Sequence, residues 1–82
     1  MRLALGRILA TPGALEALGL RGVSMAVYRH AVGDWGDVDD EDREANEAAL
    51  AHGDRVVSRY GEIYVITEGD RSSTCVMLRS EY

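Results

Sequence analysis

An α+β domain is the expectation for this chain, and three observations carry it. Up to residue 53 the apolar residues recur at helical spacing between glycine breaks, and from residue 54 they alternate. The chain is 82 residues long, room for one modest core, so residues 1–82 read as a single small domain. The expected order is β-α-α-α-β-β-β, with an antiparallel C-terminal meander and helices packed on one face.

Residues 2–10 (RLALGRILA) alternate at Leu3 and Leu5 and turn apolar at Ile8 and Leu9, as a first strand does. The start faintly resembles a signal peptide, but Arg7 interrupts the apolar stretch and no A-x-A pattern follows. The expected location is therefore cytoplasmic. Thr11-Pro12 opens a short helix, because Thr caps free N–H groups and Pro at the first position loses no hydrogen bond. Gly19 or Gly22 ends it. A second helix fits 22–32, with Val23, Val27 and Ala31 in one stripe and Met25, Tyr28 and Val32 in another; this wide arc places it against the sheet. Gly33 stops it. A third helix fits about 39–52, started by Asp37 or Asp39 and ended at His52-Gly53, with an apolar face of Ala45, Ala48, Ala49 and Leu50. RVVSRY, EIYVITE and STCVMLR then read as three strands, the first two joined by a tight turn at Gly61-Glu62. Residues 62–68 are apolar on both faces, which marks a central strand.

The charge is unevenly placed. Eight carboxylates (Asp34, Asp37, Asp39, Asp40, Glu41, Asp42, Glu44, Glu47) fall within residues 34–47 against Arg43 alone, a net −7. The remainder, with eight Arg, six acids and no Lys, is weakly positive. Direct nucleic-acid binding is not expected, since phosphates need a basic face. A protein partner with a basic surface fits better. No apolar run approaches the roughly 20 residues a membrane span needs, so no membrane partner is expected. One cysteine, Cys75 in TCVML, allows no internal disulfide and reads as a small buried hydrophobe. No phosphate-loop, dinucleotide-fold, nucleophile-elbow or zinc-protease motif is present, and no cofactor is expected.

Within HAVGDWGD (30–37), His30, Asp34 and Asp37 offer one nitrogen and two carboxylates for a divalent metal. The competing reading is structural and is favoured: protonated His30 at a helix C-terminus, Asp34 and Asp37 as turn and cap residues. Trp35 either folds back to anchor the joint or projects as a binding anchor; folding back is favoured. In the segment Thr67–Thr74, Glu68 and Asp70 form a carboxylate pair beside Arg71. Turn chemistry explains them as well, with Asp70 bonding its own backbone and Arg71 pairing with Glu68 or the acidic helix.

TPGALEAL, RHAVGDWGD, the asparagine of EANEAAL and the ending ITEGDRSSTCVMLRSEY together resemble short bacterial proteins of plasmids and integrated elements. These often carry the label type I restriction endonuclease subunit M. The resemblance spans nearly the whole chain and is most specific at GDWGD and at Thr67–Thr74. The loop between Tyr60 and Ile63 is shorter than in that group, and Arg79 stands where proline is usual. A DNA methyltransferase subunit needs a cofactor-binding α/β domain and a substrate groove, more than 82 residues hold. The resemblance thus implies a mobile-element accessory protein.

Three functions follow. The lead is a non-enzymatic protein binding a host defence or nucleic-acid-handling protein, of anti-restriction or anti-CRISPR type. Residues 34–47 make the contact in this reading, Trp35 included. The second is a small ribonuclease-toxin-like enzyme with His30 as acid, Glu68 as base and Arg71 holding the anion; the net charge of −5 opposes it. The third is a ligand-binding or dimerisation module using an exposed sheet face with Arg59, Thr74 and Tyr82, which allows a homodimer.

Overall fold

In the computed structural model, which describes residues 1–82, the change of period at residue 54 becomes a change from helix to sheet. Strand β1 (Arg7–Ala10) is followed by helix α1 (Pro12–Ala31) and helix α2 (Asp40–His52). Strands β2 (Val56–Tyr60), β3 (Ile63–Thr67) and β4 (Ser73–Leu78) complete the sheet, and a single turn of 3-10 helix (Arg79–Glu81) ends the chain. The strand order is β1-β4-β3-β2; β1 runs parallel to β4 and the other pairs are antiparallel. The α+β class and the C-terminal meander are as the periodicity predicts.

Local chemistry sets the helix ends. The Thr11 hydroxyl accepts the Ala14 N–H at 3.1 Å, with Pro12 in the first position behind it. The two expected helices at 12–18 and 22–32 form one run whose backbone breaks at Gly19 (φ 70°, ψ 173°), a conformation open to glycine because it has no Cβ. Asp39 caps α2 through the Asp42 N–H at 2.8 Å, and Gly53 ends it in the left-handed region.

One sheet face is covered by helix. Val65, Val76 and Ile63 pack with Ala14, Val23, Ala26 and Val27 of α1. A second cluster joins Val56 of β2 to Ala49 of α2, Trp35 and Leu3. Three expectations are corrected here. Residues 2–6 are not strand; the Arg2 N–H donates to the Ala31 carbonyl and Leu3 is buried in the second cluster, so this segment is spent on the helices and only 7–10 enter the sheet. The apolar arc of α1 is also only half used: Val23, Val27 and Ala31 are buried, whereas Met25, Tyr28 and Val32 are exposed. Likewise the buried stripe of α2 is Asn46 and Ala49 with Leu50 beside it, leaving Ala45 and Ala48 in solvent. No helix is long and apolar enough to cross a membrane.

Candidate functional site

The joint Val32–Asp39 turns the chain from α1 into α2 and lays it along the outer edge of β2. Gly36 touches that edge so closely that a Cβ there meets the Arg59 carbonyl oxygen at 2.1 Å, and its φ of +76° excludes most side chains. The Arg59 N–H donates to the Trp35 carbonyl (3.0 Å), and the Asp37 N–H donates to the Arg59 carbonyl (2.6 Å). Around this contact the Tyr60 hydroxyl donates to the Asp34 carbonyl at 2.5 Å, and the Arg29 guanidinium lies 4.2 Å over the Tyr60 ring. Burial pushes the Tyr60 phenol up to about 12.

Trp35 is 2% exposed. Its ring meets His30 edge-on at 5.9 Å, and its Nε1–H donates to Glu47 at 3.0 Å. Glu47 also receives two bonds from Arg2, whose guanidinium lies 5.9 Å from the Trp35 ring centre. Those bonds hold the Glu47 carboxyl below its ordinary range, Arg2 foremost and Trp35 next. Trp35 therefore anchors the joint, and its place among the partner-contact residues is withdrawn: a ring sealed in the core reaches no partner.

His30 is fully buried, which corrects the protonated helix-end reading. Nδ1 lies 2.6 Å from Ser58 Oγ and Nε2 lies 2.8 Å from Thr67 Oγ1. Thr67 Oγ1 is 2.7 Å from Thr74 Oγ1, whose hydroxyl donates to the Leu5 carbonyl at 2.8 Å. That carbonyl end sets the direction of the bonds as far as Nε2: Thr74 gives its proton to Leu5, Thr67 gives to Thr74, and His30 gives Nε2–H to Thr67. Burial, aided by the charge of Arg71, lowers the imidazole pKa to about 4, so the ring is neutral at pH 7 and Nδ1 accepts from Ser58. With both nitrogens engaged inside the core, His30 neither ligates metal nor transfers protons to a substrate.

The other proposed constellations disperse. Asp34 pairs with Arg29 Nε at 2.7 Å and accepts the Gly36 N–H, and Asp37 accepts the Gly61 N–H at 2.8 Å. His30, Asp34 and Asp37 do not converge, and no group of His, Cys, Asp and Glu forms a metal-binding set. Glu68 turns outward to Arg55 at 3.3 Å. Arg71, with the unusual φ of 61°, donates to the carbonyls of Asp54 (2.7 Å), Glu68 (3.2 Å) and Ala49 (2.9 Å). It ties the β3–β4 turn to the C-terminal end of α2, where a cation suits the helix dipole. So Arg71 pairs with main chain rather than with a carboxylate, and the catalytic set His30, Glu68 and Arg71 is not assembled. Asp70 accepts the Ser72 N–H at 2.9 Å, the turn role expected of it. Thr74 lies on the helix-covered side of the sheet, not on the open face assigned to it. Cys75 is half-buried, with burial raising its thiol pKa.

What remains is α2. Asn46, buried on its sheet side, donates Nδ2–H to the Val57 carbonyl (2.8 Å) and accepts the Val57 N–H (3.1 Å). One side chain thereby locks the helix to the strand edge. The sequence reading gave Asn46 no structural role and expected carboxylate rather than main-chain partners for Arg71; an amide set in line with Ala49 and Leu50 on an otherwise apolar stripe was the available signal for Asn46. The eight carboxylates now divide. Asp34, Asp37, Asp39 and Glu47 satisfy internal donors. Asp40, Glu41, Asp42 and Glu44 are exposed and bond to no other side chain. At the foot of this helix a groove of about 560 Å³ opens on the uncovered sheet face. Asp37, Asp39 and Asp42 line one side, and Arg55, Arg59, Tyr64 and Tyr82 line the other. No protein-family model, curated protein or solved structure matches the chain.

Proposed function

We propose that the chain is a non-enzymatic interaction protein that presents the first turns of α2 to a basic protein surface of the kind that holds nucleic acid. One observation carries this reading: four carboxylates, Asp40, Glu41, Asp42 and Glu44, are exposed and free of internal partners on a helix locked to the sheet by Asn46. Uncommitted charge of one sign on a firmly held helix speeds encounter with an oppositely charged surface. The groove beneath adds relief to that surface, with Asp42 common to both. The resemblance to mobile-element accessory proteins points to a host defence or nucleic-acid-handling protein as the partner class.

The test uses affinity capture from bacterial lysate, followed by a gel-shift assay of the captured protein with its DNA or RNA. Wild-type protein is expected to displace the nucleic acid. The variant Asp40→Asn/Glu41→Gln/Asp42→Asn/Glu44→Gln, checked by circular dichroism for intact helix, is expected to lose displacement. Equal displacement by the variant, or capture of proteins that bind no nucleic acid, overturns the reading.

A further inference from the structure

The two outer edges of the sheet carry the same number of outward main-chain groups and treat them differently. On β2 these belong to Val57 and Arg59. Both N–H and both C=O groups are bonded, to Asn46 and to the joint residues Trp35 and Asp37. On β1 the Arg7 N–H donates to the Ser72 carbonyl and the Thr11 N–H to the Val76 carbonyl, so odd-numbered residues face β4. Ile8 and Ala10 therefore turn their N–H and C=O groups outward, and no segment of the chain pairs with them. This edge has none of the usual protections beyond its shortness: no bulge, no covering loop, and Arg7 as its one charge. Its side chains are apolar and open, with Ile8 54% exposed and Leu9 also exposed. Beside Ile8, a cleft of about 270 Å³ is lined by Met1, Leu5, Val23, Val27 and Tyr28. Tyr28 is itself 55% exposed.

We infer that β1 pairs with β1 of a second copy of this chain, antiparallel, joining two four-stranded sheets into one of eight. The outward groups select the register. Opposing Ile8 to Ala10 of the other copy, and Ala10 to Ile8, satisfies all of them, and it places the two-fold axis at Leu9. Pairing Ile8 with Ile8 satisfies only half. The axis brings the two clefts and the two Tyr28 side chains to one side of the joined sheet, where they cover each other.

The charge map leaves this edge open to a second copy. The −7 segment lies along β2, three strand spacings from β1. Joining at β1 sets the two acidic helices at opposite ends of the sheet, about 34 Å apart at 4.8 Å per strand, beyond the Debye length in physiological salt. Two copies thus meet at their least charged edge with little mutual repulsion.

The closing experiment combines mass and register. Light scattering on wild type over micromolar to millimolar concentrations is expected to approach twice the 9.0 kDa chain mass. Ile8→Pro, which removes an N–H that β4 does not use, is expected to remain folded by circular dichroism and to stay at the single-chain mass. Leu9→Cys in a Cys75→Ser background is expected to form a disulfide-linked dimer under glutathione oxidation. Cysteine at Arg7 in the same background falls about 13 Å from its counterpart and is expected not to link. The link at position 9 reads the register even if Ile8→Pro fails to fold. A wild-type chain that stays monomeric, a dimer unaffected in folded Ile8→Pro, or linkage at position 7 in place of 9 overturns the inference.

Discussion

The edges at β2 and β1 are of similar length, yet one is built over and the other left bare. Along β2, the joint after α1 and the amide of Asn46 take every outward main-chain group, and behind them stand Trp35, His30 and Glu47. Along β1, Ile8 and Ala10 have only solvent. The contrast separates two uses of residues that look alike in the sequence. The polar groups of 30–47, whose spacing also offers a metal or acid–base site, are largely the fastening of an edge, and the apolar residues 8–10 of the first strand form the open surface.

That comparison can be broken first at Trp35. Trp35→Ala removes the ring under the joint and is expected to cost about 3–5 kcal/mol by urea denaturation, most of the stability of a small domain. The β2 fastening also has a pH signature through His30. Its imidazole titrates near 4 in the folded chain against an ordinary 6.5, so between these values the unfolded chain binds more protons. Stability is therefore full above pH 6.5 and falls as pH drops toward 4, by about 3 kcal/mol in all. His30→Gln is expected to flatten that slope in urea titrations across this range. Asn46→Ala comes next. It orphans the Val57 N–H and C=O, with an expected loss of about 1–3 kcal/mol and faster amide exchange at Val57, while Leu9 exchange stays unchanged. The smallest effect sharpens the division of the acidic segment. Neutralising Asp40, Glu41, Asp42 and Glu44 together is expected to alter stability by about 1 kcal/mol or less, because the helix-dipole stabilisation of the three first-turn acids is offset by their mutual repulsion.

Much of the scaffold was legible from residue types. The Thr11-Pro12 start, the Asp39 cap, the Gly53 end and the tight turn at Gly61-Glu62 are short-range matters, each settled by a side chain and main chain within a few residues. The candidate site was legible only as a charge density. Which carboxylates are free depends on donors distant in sequence, such as Arg2 for Glu47 and Gly61 for Asp37. The same distance hid the role of His30, whose partners Ser58 and Thr67, with Thr74 behind Thr67, sit on three different strands. A histidine at a helix end and one inside a hydroxyl network have the same local sequence, and burial alone tells them apart.

The amino-acid order by itself determined the α+β class, the helix and turn boundaries and the concentration of negative charge before residue 48, because periodicity, capping and composition act over a few residues. Only the tertiary structure decided that β1 lies parallel beside β4, that Trp35 faces inward, and that one sheet edge is fastened while the other stays open. Those outcomes depend on long-range register and on where buried main-chain groups find partners.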